Sequence, residues 1–497
     1  MPLDYDRRHG RQIDLALARI PASNPGDKIG TLFLNPGGPG ASGVKMVLDG
    51  AGDFISQVTG GRFDVVGFDP RGVGASTPIR CFESQDEFNE FFEGYPLFPY
   101  REEQKWPVFV HVNEYTEKCL ENNWDIARHM STADVARDLD FLRRAVGDRQ
   151  LNYLGFSYGS YLGNTYANLF PGNIRTMVID GVIDPVLWSV GLHVALVRTG
   201  AAEVWDEFAR LCDEAGPEIC PATGPAGTQV LWNALTEALA EEPFEFPDGS
   251  VYAYDNLISD IFHTLYVPEA WSLAAVFLDT LGDGVLNEDI ASAEIARQVH
   301  LELVATVNGQ AQSADEYDNF FDALCGNNCG DAQFPYFFPA FRAVGEFAAQ
   351  GSIFGPNWWW HSAPCASWPT AADRYIGPWN TRTANPVLVV GNYYDPVTPY
   401  DGAIKSSELL TNSRLLSYAG WGHCAFGRNE CVTNYIRQYL LDGSLPEEGT
   451  VCPANPNPFR PVAARSLGGN PSPEILPMFG RPPRMHTLYN GDRRGGY

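Results

Sequence analysis

Short, nearly continuous apolar runs recur through the first third of the chain, with amphipathic stretches between them. Residues 31–34, 63–68, 151–154 and 176–179 have the character of strands that a parallel sheet buries on both faces. Between the second and third runs, Ser131 is placed to cap a helix, with Asp134 in its first turn and Val135, Leu139, Leu142 and Val146 along one apolar face. This alternation predicts an α/β fold, a doubly wound and mostly parallel sheet. After Asp184-Pro185 the strand signals fade, and the chain to about residue 370 is helical and aromatic. Val204, Phe208 and Leu211 share one helical face, and residues 257–281 read as two helices broken near Pro268. Sheet-like runs return at 386–390 and 414–419, followed by a helix over 432–441. The expected organisation is a core made of residues 1–185 and 371–453, a helical cap at 186–370, and a tail at 454–497. The tail is rich in Pro, Gly and Arg and is expected to be extended or disordered.

Gly155-Phe156-Ser157-Tyr158-Gly159 adds chemistry to this pattern. It is a G-x-S-x-G between the run 151–154 and a helical pattern carried by Tyr161, Leu162, Tyr166 and Leu169, which Pro171-Gly172 stops. Strand, turn and helix therefore occur in the order of a nucleophile elbow, which holds its serine exposed on a tight turn. A serine hydroxyl needs a histidine to take its proton and an acid to fix that histidine's tautomer. Asp395 follows the run 386–390, and His423 follows the run 414–419 in Gly420-Trp421-Gly422-His423. The chain order Ser157, Asp395, His423 suits an elbow enzyme. Asp before Pro also starts ordinary turns, and Asp401 is the alternative acid.

The oxyanion of such chemistry needs backbone donors. The N–H of Tyr158 is one, and the loop Asn35-Pro36-Gly37-Gly38-Pro39-Gly40 should supply the second, from Gly38 or, as second choice, Gly37. The segment from Gly38 to Gly43 also matches G-x-G-x-x-G, but Pro39 removes an N–H from that turn, which argues against a dinucleotide site. Asp69 and Arg71, at another strand exit, are expected to brace a Gly-rich turn beside the elbow. Neither a metal nor an organic cofactor is required.

Composition changes the picture in two respects. A formal net charge of −27 over 497 residues disfavours nucleic acid, whose phosphates need clustered Lys and Arg, and is compatible with an acidic mouth attracting cationic substrates. No apolar stretch is long enough to cross a bilayer, so no membrane association is expected. The 10 Cys lack zinc-type spacing and read as structural disulfides. An oxidising compartment and a secreted or extracellular protein are therefore expected, and, because residues 1–5 carry neither a basic start nor an apolar segment, a missing N-terminal segment with them; the alternative is cytoplasmic.

Pro2-Leu3-Asp4-Tyr5, the 35–40 loop, Asp69-Pro70-Arg71-Gly72, the elbow, Asp395 and Gly422-His423 together resemble the tripeptidyl and prolyl aminopeptidase group of α/β-hydrolases, with its TAP-like C-terminal region. The resemblance extends to about residue 453. It implies an α/β-hydrolase fold with an inserted cap and an acyl-enzyme exopeptidase that releases residues from peptide N-termini. It also implies a cap that blocks longer entry and acidic side chains that hold the free ammonium, so a buried cap Asp or Glu should face the pocket. An acid is expected shortly after the cysteine matching Cys325, where Gly326-Asn327-Asn328 stands instead. The same resemblance pairs Cys81 with Cys119, Cys212 with Cys220, Cys325 with Cys365 and Cys431 with Cys452, leaving Cys329 and Cys424. The substrate is then a peptide or a small ester. The alternatives are an esterase or lactonase on small or secondary-metabolite substrates and a non-catalytic binding protein of hydrolase shape.

Overall fold

The computed structural model describes residues 1–308, 317–371 and 373–459. An eight-stranded sheet runs in the order Leu17–Ile20, Phe63–Phe68, Gly30–Asn35, Leu151–Phe156, Ile174–Asp180, Val387–Tyr394, Ser413–Trp421 and Val451–Cys452. Only the first of these strands pairs antiparallel. Every residue of Gly30–Asn35, Phe63–Phe68 and Leu151–Phe156 is buried. Period-two alternation sends Leu32, Leu34, Leu154, Val178 and Val390 to one apolar cluster and Phe33, Val66, Tyr153, Ile179 and Val389 to another. Both faces are covered by helices, which is why these runs do not alternate with polar residues.

The helix Thr132–Ala145 starts as expected, its Ser131 side chain accepting from the Asp134 N–H. Val135, Leu139 and Leu142 are buried, whereas Val146, the C-cap, is 44% exposed. Arg71 is fully buried and forks onto Asp138 with two 2.8 Å hydrogen bonds, while also donating to the carbonyls of Pro2, Leu3 and His129. Asp69 accepts from Ser42 Oγ and the N–H groups of Val44 and Ala75. The two residues thus brace the turn and pin the N-terminal arm.

The cap helices include Val194–Ala215, Tyr254–Leu265 and Trp271–Leu286, the last two separated by a short turn of 3-10 helix at Pro268–Ala270. Val204, Phe208 and Leu211 are buried on the first of these. Two helices that the apolar pattern did not reveal, Gln85–Phe92 and Glu102–Ala127, share the cap's hydrophobic cluster through Phe88, Phe109 and Tyr115. The helical layer therefore draws on a segment ahead of the elbow as well as on the insertion after it. At the start of the expected tail, Phe459 is fully buried with its ring 5.1 Å from Phe208; residues 460–497 lie outside the described residues. No single helix among the described residues is long and apolar enough to cross a membrane.

Four disulfides are present: Cys81–Cys119, Cys212–Cys220, Cys329–Cys365 and Cys431–Cys452. The third corrects the expected pairing, because Cys365 joins Cys329 and Cys325 is a free, buried thiol. Cys325 and Cys329 lie one helical turn apart on Phe320–Asp331 and so occupy the same face; spacing alone does not choose between them.

Candidate active site

The strand Leu151–Phe156 ends at Ser157, whose φ of 56° and ψ of −123° are rare for a residue with a side chain. The turn is tight enough that a Cβ on Gly155 would lie 2.5 Å from the Gly159 carbonyl oxygen, and one on Gly159 would lie 2.8 Å from that of Asn35. The Ser157 N–H donates to Asp180 O, fixing the elbow to the neighbouring strand. Tyr158 opens the helix Tyr158–Leu169, so its N–H belongs to the unpaired donors of a helix N-terminus, where negative charge is stabilised.

Asp395 lies just past the strand Val387–Tyr394 and His423 just past Ser413–Trp421. Both are about 1% exposed. His423 Nδ1 is 2.9 Å from Asp395 Oδ2 and 3.1 Å from Oδ1. The carboxylate also accepts from the N–H groups of Val397 and Thr398 and from Thr398 Oγ1. Asp395 therefore fixes the ring, while Asp401 is exposed on the following helix. His423 Nε2 is buried without a hydrogen-bond partner among the described groups. On the far side, Asp180 accepts the N–H groups of Ala425 and Phe426, locking the histidine loop to the strand that also holds the elbow. Burial pushes its carboxyl up to about 6 against those hydrogen bonds. Cys424 is buried, its Sγ 3.5 Å from Asp180 O, and burial raises its thiol well above the usual range, so it is not a ready nucleophile.

The loop after Gly30–Asn35 approaches from the opposite side. Gly37 has a φ of +95°, and a Cβ there would lie 2.5 Å from Phe156 O and 2.8 Å from Ser157 Cβ, so only glycine fits against the elbow. Its N–H is taken by Asn35 Oδ1 at 3.0 Å.

Gly38 and Pro39 border a cavity of about 660 Å³, its open mouth included, walled mainly by Trp188, Phe262, Tyr266, Phe334 and Trp358. Tyr266 connects it to the histidine: its carbonyl accepts the His423 N–H, and its ring stands edge-on 5.2 Å from the imidazole. His193 and His361 also line it, and burial holds them down at about 4 and about 3, so both are neutral near pH 7. None of the lining residues carries a carboxylate. The cap acid expected to face the pocket is not among them. Asp331, two positions after the bridged Cys329, is buried behind the wall and accepts from Thr132 N–H and Oγ1, both at 2.7 Å, and from Trp188 Nε1 at 3.2 Å. Thr132 Oγ1 in turn hydrogen-bonds the Tyr158 hydroxyl. The sequence motifs flagged the elbow, the acid and the histidine; the cavity walls and Asp331 escaped them, since their partners come from distant segments.

The sheet order, the strained elbow and the covering cap define an α/β-hydrolase. The family described as alpha/beta hydrolase fold matches residues 30–199, and the TAP-like protein family matches residues 351–452. The chain is 31% identical to the serine protease Hip1 of Mycobacterium tuberculosis, over 91% of this chain and 86% of that protein. It is 32% identical to the tripeptidyl aminopeptidase of Streptomyces coelicolor, over 92% and 83%, and 33% identical to carboxylesterase B of M. tuberculosis, over 91% and 85%. The chain belongs to this α/β-hydrolase family and is a serine hydrolase.

Proposed function

We propose that this chain is an exopeptidase that removes residues from peptide N-termini through an acyl-enzyme on Ser157. In this reading Ser157 Oγ attacks the scissile carbonyl, His423 Nε2 takes the hydroxyl proton, and Asp395 holds Nδ1–H and stabilises the imidazolium. The oxyanion is received by the N–H of Tyr158 and by that of Gly38, since the Gly37 N–H is committed to Asn35. Gly37 contributes the clearance. His423 then protonates the leaving amine, and a water attacks the acyl-enzyme with the same histidine as base. The observation that carries the reading is the 2.9 Å contact of His423 Nδ1 with Asp395 Oδ2, which leaves Nε2, buried and without a hydrogen-bond partner, as the nitrogen to serve the elbow.

The relatives named as aminopeptidase and protease favour peptides. The esterase alternative is favoured by a specific observation, the neutral aromatic cavity without a carboxylate, and by the relative named carboxylesterase B. A panel of aminoacyl, dipeptidyl and tripeptidyl reporter amides beside simple acyl esters separates the two. An exopeptidase loses its substrate when the peptide N-terminus is acetylated, whereas equal hydrolysis of free and acetylated peptides leaves the esterase reading. Four disulfides support folding in an oxidising compartment, and non-reducing mass mapping of protein from its native source tests that assignment.

A further inference from the structure

A second cavity lies inside the cap, with no contact to the elbow. It holds about 870 Å³, its open mouth included, and has an apolar lining that includes Phe98, Tyr100, Tyr254 and Trp360. Lys105 and Arg342 stand at its edge, already neutralised by ion pairs to Glu102 and Glu346. Among the described residues, Trp359 is the one that lines both this space and the cavity bordered by Gly38 and Tyr266.

The indole of Trp359 is built as a fixed partition. It is 3% exposed and sits on the short helix Gly355–Trp360. One side presses on Gly345, where a Cβ would lie 2.0 Å from Nε1, and Phe341 packs against it tilted by 33°, at 4.7 Å between ring centroids. Its Nε1 is buried without a hydrogen-bond partner, so the ring is held by packing alone. Removing it would break no polar contact and would join two apolar spaces.

We propose that Trp359 is a specificity-determining residue that ends the acyl side of the catalytic cavity, and that the second cavity is the extension it closes off. The cavity borders Gly38, where the carbonyl oxygen is received; that it takes the acyl rather than the leaving group is part of the proposal, and the two ester series below tell the sides apart. Acyl groups that stop at the indole fit; longer ones meet the ring. The inference deepens the acyl-enzyme reading above and rests on it, and it gives a physical limit to the length of the group removed per cycle.

The test is an acyl-chain series of p-nitrophenyl esters, from acetyl to decanoyl, run on the wild type, Trp359→Ala and Trp359→Leu, beside an alcohol-chain series of acetate esters. The wild type should favour butyryl over decanoyl. In either variant the decanoyl-to-butyryl ratio of kcat/KM should rise roughly tenfold or more, as expected when a few methylenes gain a pocket. The leucine variant keeps an apolar residue and serves if the alanine variant does not fold. An unchanged ratio in a folded variant, a wild type that hydrolyses decanoyl as well as butyryl, or a shift confined to the alcohol series would overturn the proposal. Absence of any hydrolysis by the wild type would instead overturn the acyl-enzyme reading on which it rests.

Discussion

In the sheet core, strand residues alternate between two apolar clusters, and what emerges at the strand ends is polar: Ser157, Asp395 and His423, each held by backbone hydrogen bonds from a neighbouring strand or turn. The cap is organised differently. A single cluster joins aromatic side chains from residues before and after the elbow, and its disulfides tie Cys81 to Cys119, Cys212 to Cys220 and Cys329 to Cys365. The core holds the groups proposed to react, and such groups must be placed to within a fraction of an ångström. The cap shapes a mostly apolar space, where size and shape decide what enters. The two meet at Asp331, whose carboxylate joins Thr132 of the core to Trp188 of the cavity wall.

The comparison is broken most severely at the elbow. Ser157→Ala and His423→Ala should each lower kcat by about 10⁴-fold or more, and Asp395→Asn somewhat less, with no loss in thermal stability, because nucleophile and base act as one unit. Steady-state kinetics and calorimetry on the same samples check this; a tenth of wild-type activity in Ser157→Ala, only about 1.4 kcal/mol of barrier, would exclude its role.

Arg71 should behave in the opposite way. Arg71→Ala leaves Asp138 buried without its partner and should cost about 3–5 kcal/mol of stability. Denaturant titration reads the loss, and the turnover of the protein that remains folded should stay near wild type.

Within the cap, Cys329→Ser removes a bridge closing 36 residues and should cost about 3–4 kcal/mol, whereas Cys325→Ser removes only a buried thiol and should cost less than half as much. Equal losses would contradict the Cys329–Cys365 pairing.

The smallest effect concerns Asp331, which burial raises from 3.8 to about 6 despite the hydrogen bonds from Thr132. A carboxyl raised in the folded state contributes stability that is present below its unfolded value and lost as pH climbs through its folded one. The stability of the wild type relative to Asp331→Asn should therefore fall between about pH 4 and pH 6, by roughly 3 kcal/mol at most. A difference in melting temperature that is flat over that window would contradict it.

The sheet was legible because a strand covered on both faces is apolar at nearly every position, and the elbow was legible because its chemistry demands a fixed local order. Leu17–Ile20 was not: it is a four-residue edge strand carrying Arg19, with too little pattern to register. Glu102–Ala127 was hidden for another reason. It contains Pro107, exposes Trp106 and Trp124, and mixes charged residues with the aromatic ones, so no clean apolar stripe appears although Phe109, Tyr115 and Cys119 are buried. The cavity was illegible in principle, since Gly38, Trp188, Tyr266 and Trp359 come from segments far apart in the chain.

Everything proposed for the site depends on Ser157, activated by His423, forming a covalent acyl-enzyme. Reaction with a fluorophosphonate, followed by intact-mass measurement and peptide mapping, tests it most directly. One adduct per chain is expected, on Ser157, absent in Ser157→Ala and greatly slowed in His423→Ala. An unmodified wild-type protein, or an adduct on another residue that persists in Ser157→Ala, would contradict it.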